Sequence, residues 1–270
     1  MTSTLGATTE FWRDQALPYV ESRRACHSRA CYKSHSHPTF SIGAVDLGSS
    51  HFTGTASSPT LIQAGTVVFV PSACVHSCNP LSNTAWSYQM LHLDTAWLKT
   101  LRQESGAVER IVVTLTRDTR VYAGFCRLNA LLFSPASVQE KEISLIEFIG
   151  DCDSDDQATI AAPELGIIAR RKLQPVLEHL QHGGIAMKSL AELAKMADMS
   201  RYQVIRAFRA STGMTPHVYQ LNLNINQARA WLRSGEDMAD IAYRLGFADQ
   251  SHFQRVFKAY VGVTPGLYRS

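Results

Sequence analysis

No stretch of this 270-residue chain approaches the roughly 18 uninterrupted apolar residues that a membrane-spanning helix needs, which excludes a helical bilayer span. The N-terminus, Met1 to Glu10, lacks a basic start followed by an apolar core, so no secretory leader is expected. Cysteine is sparse. Six thiols without tight regular spacing fit a reducing compartment better than a disulfide framework. The chain is therefore expected in the cytoplasm, and on the nucleoid whenever it holds DNA. Neither charge sign dominates overall, at 26 Lys+Arg against 23 Asp+Glu, but the balance is uneven along the chain. Residues 1–163 carry 12 basic and 15 acidic groups (12 − 15 = −3), and residues 164–270 carry 14 and 8 (14 − 8 = +6). A basic C-terminal third is the footprint of a phosphate-backbone binder, although many soluble domains carry such a charge.

What the chain does contain is one segment written twice. Leu190-Ala191-Glu192-Leu193-Ala194 recurs 48 positions later as Met238-Ala239-Asp240-Ile241-Ala242. Arg206-Ala207-Phe208-Arg209-Ala210 recurs 49 positions later as Arg255-Val256-Phe257-Lys258-Ala259, and Gly213-Met214-Thr215-Pro216 as Gly262-Val263-Thr264-Pro265. A one-residue slip confined to the middle predicts two repeated helices with a turn of altered length, which is a helix-turn-helix in each copy. Ser189 and Glu192 form a capping-box pattern at the first start; Asp237 and Asp240 serve the second. Asp198 and Gly246 occupy the corner, where a left-handed backbone is needed, and Met199 and Phe247 follow as apolar plugs.

With Val204, Ala207 and Phe208 facing inward in one copy and Phe253, Val256 and Phe257 in the other, an outward face remains. It carries Arg201, Tyr202, Ile205, Arg206 and Arg209 in the first copy and Gln250, Ser251, Gln254, Arg255 and Lys258 in the second. Arg suits guanine, Gln suits adenine, and an outward Ile205 can meet a thymine methyl. One such face alone could be an ordinary solvated surface; two copies sharing core, turn and exit argue for double-stranded DNA. Thr215-Pro216 is a helix-start pair, and a helix from Pro216 to Arg233 would be roughly 27 Å long at ~1.5 Å per residue. That is near the ~34 Å between successive major grooves on one face of a duplex.

Residues 165–270 resemble the AraC/XylS family of bacterial transcription regulators. The most specific stretch runs from Asp240-Ile241-Ala242 through Gly246-Phe247-Ala248-Asp249-Gln250-Ser251-His252-Phe253 to Gly262-Val263-Thr264-Pro265 and Tyr268-Arg269. The resemblance implies base contacts at Arg201, Tyr202, Ile205 and Arg206 and at Gln250, Ser251, His252 and Arg255. It also implies a homodimer, contact with RNA polymerase, and activation more often than repression.

The N-terminal half reads as short strands between Gly/Pro/Ser turns, with Phe40 to Val45, Thr66 to Val70 and Trp86 to Leu93 the clearest. Helical spacing follows at Val121, Phe125, Leu128, Leu131 and Leu132, then at Ile143, Ile146 and Ile149. His35-Ser36-His37, Gly48, Gly65, Pro71 and His76 resemble the two signature stretches of a cupin barrel, which would hold a divalent metal through His35, His37 and His76. Residues 35 and 37 share one strand face, and three imidazoles suit Zn, Fe or Ni. The family's carboxylate is replaced by Ser41; Cys78 or His92 could take the fourth place, or it could be left to water or effector. The alternative is a metal-free polar pocket, or histidines with no such role. Glu21 and Arg23 could hold an effector's ends or be an exposed pair at a strand edge; Trp86 and Tyr88 could wall an effector or be core.

The expectation is an α+β two-domain chain: a cupin-like effector barrel followed by helices that dimerise (1–150), a linker (151–164) and an all-α domain with two helix-turn-helix motifs (165–270). Its function is expected to be a sequence-specific regulator controlled by a small-molecule or metal effector, not an enzyme. The rivals are a metal-dependent cupin enzyme fused to a DNA-binding module, and a nucleic-acid protein without sequence preference.

Overall fold

The computed structural model describes residues 6–54, 59–105, 111–153, 158–160, 167–182 and 188–269. Two compact units emerge. The first comprises Met1–Ala30, His37–Cys74 and Cys78–Ala161; the second comprises Cys31–Ser36, Val75–Ser77 and Ala162–Ser270.

The first unit contains β1 (Thr8–Arg13), β2 (Val20–Ser28), β3 (Phe40–Leu47), β4 (Ser49–Thr53), β5 (Thr60–Gln63), β6 (Val67–Val70), β7 (Ser77–Pro80) and β8 (Trp86–Leu93). Then come α1 (Thr95–Ser105), β9 (Val113–Thr116), α2 (Thr119–Leu132), α3 (Val138–Asp153) and β10 (Ala158–Ile160). A seven-stranded antiparallel sheet runs β1-β2-β8-β3-β6-β9-β10, and a three-stranded sheet runs β5-β4-β7.

Strand alternation sends side chains to two different cores. On one face Phe40, Ile42, Val67, Phe69, Leu91 and Leu93 meet Val121, Phe125, Leu128, Leu145 and Phe148 of α2 and α3. On the other, Val45, Val68, Val70, Trp86 and Tyr88 meet Phe52 and Ile62 of the small sheet. Two buried faces explain why Val67 to Val70 is apolar without interruption. The helices are also tied by polar groups: Asn129 donates to Ser22 Oγ (2.6 Å) and accepts from Arg24 Nε (2.5 Å).

Three expectations need correcting. The strands do not all precede the helices: β1 covers one side of β2, while β9 and β10, which follow α1 and α3, extend the other end of the sheet. Helix α1 had no counterpart in the sequence reading. The linker expected from residue 151 begins later: α3 runs to Asp153 because Cys152 continues its buried stripe and Asp153 takes two hydrogen bonds of 2.8 Å from buried Arg102. Residues 158–160 pair with β9, and the rest of 154–166 lies outside the described residues.

The second unit holds α4 (Ile167–His182), α5 (Leu190–Met196), α6 (Arg201–Thr212), α7 (Pro216–Arg233), α8 (Met238–Arg244), α9 (Gln250–Val261) and α10 (Pro265–Arg269). Each short helix ends in the same device. Asp198 and Gly246 adopt positive φ (47° and 73°). The next amide reaches back, Met199 N–H to the Ala194 carbonyl and Phe247 N–H to the Ala242 carbonyl (3.1 and 3.0 Å). The amides of Asp198 and Gly246 close the inner bond to Lys195 and Tyr243 (3.2 and 3.0 Å). This paired closure satisfies carbonyls the helix would leave open and turns the chain sharply into the following helix.

An added Cβ at Gly246 would meet nothing within 4 Å, so the conformation alone sets the cost of a side chain there. Gly246→Ala should lower stability by about 1–2 kcal/mol, and Asp198→Gly should not lower it. Urea unfolding followed by helical circular dichroism checks this; an unchanged midpoint for Gly246→Ala would contradict the backbone account.

Candidate DNA-reading and effector sites

Helix α6 starts at a reciprocal cap, with Ser200 N–H donating to Gln203 Oε1 (2.8 Å) and Gln203 N–H to Ser200 Oγ (3.2 Å). Helix α9 starts at Asp249, whose carboxylate accepts from His252 N–H at 2.6 Å. Behind them, fully buried Val204 and Phe208 pack with Leu193 and Ala194 in the first copy. Phe253 and Phe257 are the buried equivalents in the second copy, where Ile241 and Ala242 are buried too. These contacts fix which side of each helix remains outside.

Arg201, Arg206 and Arg209 are exposed on α6, and Gln250, Ser251, Arg255 and Lys258 are exposed on α9. Ile205 and Gln254, equivalent under the 49-residue shift, are both half-buried. Tyr202 lies in α6, but its side chain is outside the described residues. His252 departs from expectation. It occupies the position of the capping residue Gln203, is half-buried, and sets its ring edge-on to Phe247 at 5.4 Å with Nδ1 buried. It is a helix-start residue rather than one aimed outward like Arg255.

In the first unit, Glu21 and Arg23 are not at a strand edge. They lie on β2, between β1 and β8, and are 4% and 8% exposed. Arg13 Nε donates to Glu21 at 2.8 Å. The Arg23 guanidinium stands over the rings of Tyr88 (5.5 Å) and Phe11 (5.6 Å), and Trp86 lies 4.3 Å from Tyr88. Arg13, Glu21 and Arg23 sum to one positive charge. Among the described residues, buried Trp86 Nε1 and Ser50 Oγ find no hydrogen-bond partner. Donors buried in this way cost free energy until an acceptor arrives. Phe11 and Arg13 went unnoticed in the sequence because residues 8–13 show no turn-bounded apolar run, and Ser50 because it sits in a Gly/Ser turn pattern.

Of the three histidines expected to hold a metal, His35 and His76 belong to the second unit and His37 to the first. His35 and His76 exchange both backbone hydrogen bonds (2.9 and 2.8 Å), which fixes their registry. His35 Nδ1 sits 2.6 Å from the Lys33 carbonyl; a carbonyl can only accept, so Nδ1 donates. Cys78 does not join this group. It packs beside the Trp86 and Tyr88 cluster, where burial pushes its thiol up to about 12. Nor does His92 complete it: its Nδ1 shares a 2.9 Å hydrogen bond with buried Ser41, while its ring stands edge-on to His37 at 5.0 Å.

The comparisons with known proteins agree with this anatomy. Residues 17–146 match the AraC-like ligand binding domain, and residues 193–270 match a Helix-turn-helix domain. The two units therefore make up a transcriptional regulator with an N-terminal ligand-binding domain and a DNA-binding helix-turn-helix domain. The chain belongs to the AraC family of transcriptional regulators. It is 24% identical over 240 residues to the uncharacterized HTH-type transcriptional regulator YbfI of Bacillus subtilis, covering 87% of this chain and 86% of that one. It is 30% identical over 146 residues to the HTH-type transcriptional activator RhaS of Yersinia pestis, covering 54% of each. In fold it is similar to ToxT of Vibrio cholerae, with a TM-score of 0.54 at 14% identity, covering 97% of this chain and 96% of that chain. The curated relatives are regulators, so the cupin-enzyme alternative is not supported and the chain is not an enzyme. Among the described residues no helix is long and apolar enough to cross a membrane.

Cys26 and Cys31 are exposed, whereas the Cys78 thiol is held neutral by burial. At pH 8 iodoacetamide should modify Cys26 and Cys31 well before Cys78, as read by peptide mass spectrometry. Early labelling of Cys78 would show that its surroundings are wetter than described.

Proposed function

We propose that this regulator reads a specific DNA sequence with α6 and α9 placed in two successive major grooves, and that an effector held inside the first unit controls it. The observation that carries the reading is the equivalence of the two outward faces. Positions 201, 206 and 209 and their partners 250, 255 and 258 are all exposed, and each pair offers base-edge donors or cations. Exposure at the same register in both copies, over the same buried aromatics, is what a tandem reader needs.

The residues around Arg23 favour an anionic effector with a flat apolar body. Arg23 would engage a carboxylate, Trp86 Nε1 and Ser50 Oγ would donate to its oxygens, and the Trp86 and Tyr88 rings would hold the body. ToxT structures contain an unsaturated fatty acid in one case and (E)-4-(8-methylnaphthalen-1-yl)but-3-enoic acid in another. Effector binding acts by population shift, favouring whichever arrangement it prefers. Activation, contact with RNA polymerase and a homodimer through α2 and α3 complete the reading. Ile143 and Ile146, 56% and 39% exposed on α3, are the apolar residues available for that contact.

A second reading keeps the metal expected from the sequence. His35, His37 and His76 would hold one divalent ion, Zn, Fe or Ni, leaving a position open because Ser41 supplies no carboxylate. Such an ion would supply a fixed positive charge and a cross-link between two chain segments.

Three measurements test these statements. Arg255→Ala should weaken binding to a selected site by ~1–3 kcal/mol and random DNA much less; equal losses on both would deny base reading. Phenylacetate and octanoate should raise the melting temperature more than their primary amides do, and Arg23→Gln should erase the difference; amides acting as well as acids would exclude the anion site. Elemental analysis should find about one metal per chain, lost in His37→Ala and in His76→Ala, and a metal-free protein would leave only the anion site.

A further inference from the structure

Helix α7 carries an amide at every second position: Gln220, Asn222, Asn224 and Asn226, with leucine or isoleucine between them. In a helix this spacing does not make one polar stripe. Residues four apart share a face, so Gln220 and Asn224 fall together and Asn222 and Asn226 fall together elsewhere. The second pair is engaged by Ser36, whose carbonyl accepts from Asn222 Nδ2 (3.2 Å) and Asn226 Nδ2 (2.9 Å). The first pair has different targets. Gln220 Oε1 accepts from Lys188 N–H (2.7 Å) and its Nε2 donates to the Lys188 carbonyl (3.3 Å). Asn224 Nδ2 donates to the Leu245 carbonyl (3.4 Å).

Those targets are the ends of the two DNA-reading motifs. Lys188 precedes Ser189, the N-cap of α5. Leu245 is the C-cap of α8 and precedes the positive-φ corner at Gly246. One helix face thus holds the entry of the first motif and the corner of the second, through side chains only 5% and 7% exposed. Apolar residues would pack there without needing partners, and they would slide and rotate; a buried amide that must reach one backbone group cannot.

We propose that Gln220 and Asn224 are positioning residues that fix the separation and rotation of α6 relative to α9, and so set the half-site spacing the protein accepts on DNA, without touching DNA themselves. The inference rests on the tandem reading above. On a duplex, one inserted base pair displaces the second half-site by about 3.4 Å and rotates it by about 35°. A rigid pair of readers cannot follow both changes; a loosened pair follows them in part.

The experiment uses the full chain and a site selected from random DNA, presented with native spacing, with one base pair inserted, and as a single half-site. The wild type should lose about tenfold or more in affinity on insertion, a penalty of about 1.4 kcal/mol. Gln220→Met combined with Asn224→Leu, which keeps size and removes the amides, should lose less than about threefold while holding the single half-site within about twofold of wild type. Gln220→Glu, which keeps the acceptor for Lys188 N–H but sets a carboxylate oxygen against the Lys188 carbonyl, should discriminate no better than Gln220→Met. If the double variant does not fold, as judged by circular dichroism, the same comparison is made with Gln220→Met and Asn224→Leu singly. Unchanged spacing discrimination in the amide-free variants overturns the positioning role alone. A wild type indifferent to both sequence and spacing overturns the tandem reading and the positioning role with it.

Discussion

Everything at the DNA-reading end depends on two residues that bend the backbone the unusual way. Asp198 and Gly246 take positive φ, and the amides after them bond back into the helix just completed. That closure ends α5 and α8 after seven residues each and delivers Met199 and Phe247 beneath the turn. It also swings the next helix across the first, so that one stripe of α6 or α9 is buried and the opposite stripe stands clear. Without the corner, the same apolar residues could continue a single longer helix with no free reading face. Asparagine, aspartate and glycine are the residues that tolerate the conformation, and the chain uses two of the three.

The first unit meets a different constraint. Its large sheet is buried on both faces, so alternation sorts residues between two interiors of unlike chemistry. The face toward α2 and α3 is apolar and is sealed by aliphatic and phenyl groups. The face toward the small sheet collects Trp86 and Tyr88 beside buried Glu21, Arg23, Ser41 and His92. A fold that needed only stability would have no reason to place those polar groups there, since each costs free energy until it is satisfied.

The DNA-reading unit was legible in the sequence because it is written twice; the repeat separates core from surface at each position without any coordinates. Helix α7 emerged with its bounds at Pro216 and Arg233 for a local reason, the Thr215-Pro216 start. The half-burial of His252 beside Phe247 was not legible, because its neighbours Gln250 and Ser251 are exposed and the equivalent position, Gln203, is the one that caps α6. Glu21 and Arg23 looked like an edge pair because β1, rich in polar residues, gave no strand signal; with β1 in place, β2 becomes interior. The linker was placed early because Asp151 and Asp153 look solvent-bound. The buried Arg102 that donates to Asp153 lies some fifty residues away and leaves no local trace. The backbone pairing of His35 with His76 left no trace in the sequence, since the two lie far apart in the chain.

The measurement that bears most directly on the central claim is selection of bound sequences from random duplex DNA by the full-length protein, followed by hydroxyl-radical footprinting of the best site. Two conserved motifs should emerge about one helical turn, ~10 base pairs, apart, with two protected patches on the same face of the duplex. A single short motif with one protected patch, or no sequence enrichment at all, would contradict the idea that α6 and α9 read DNA together.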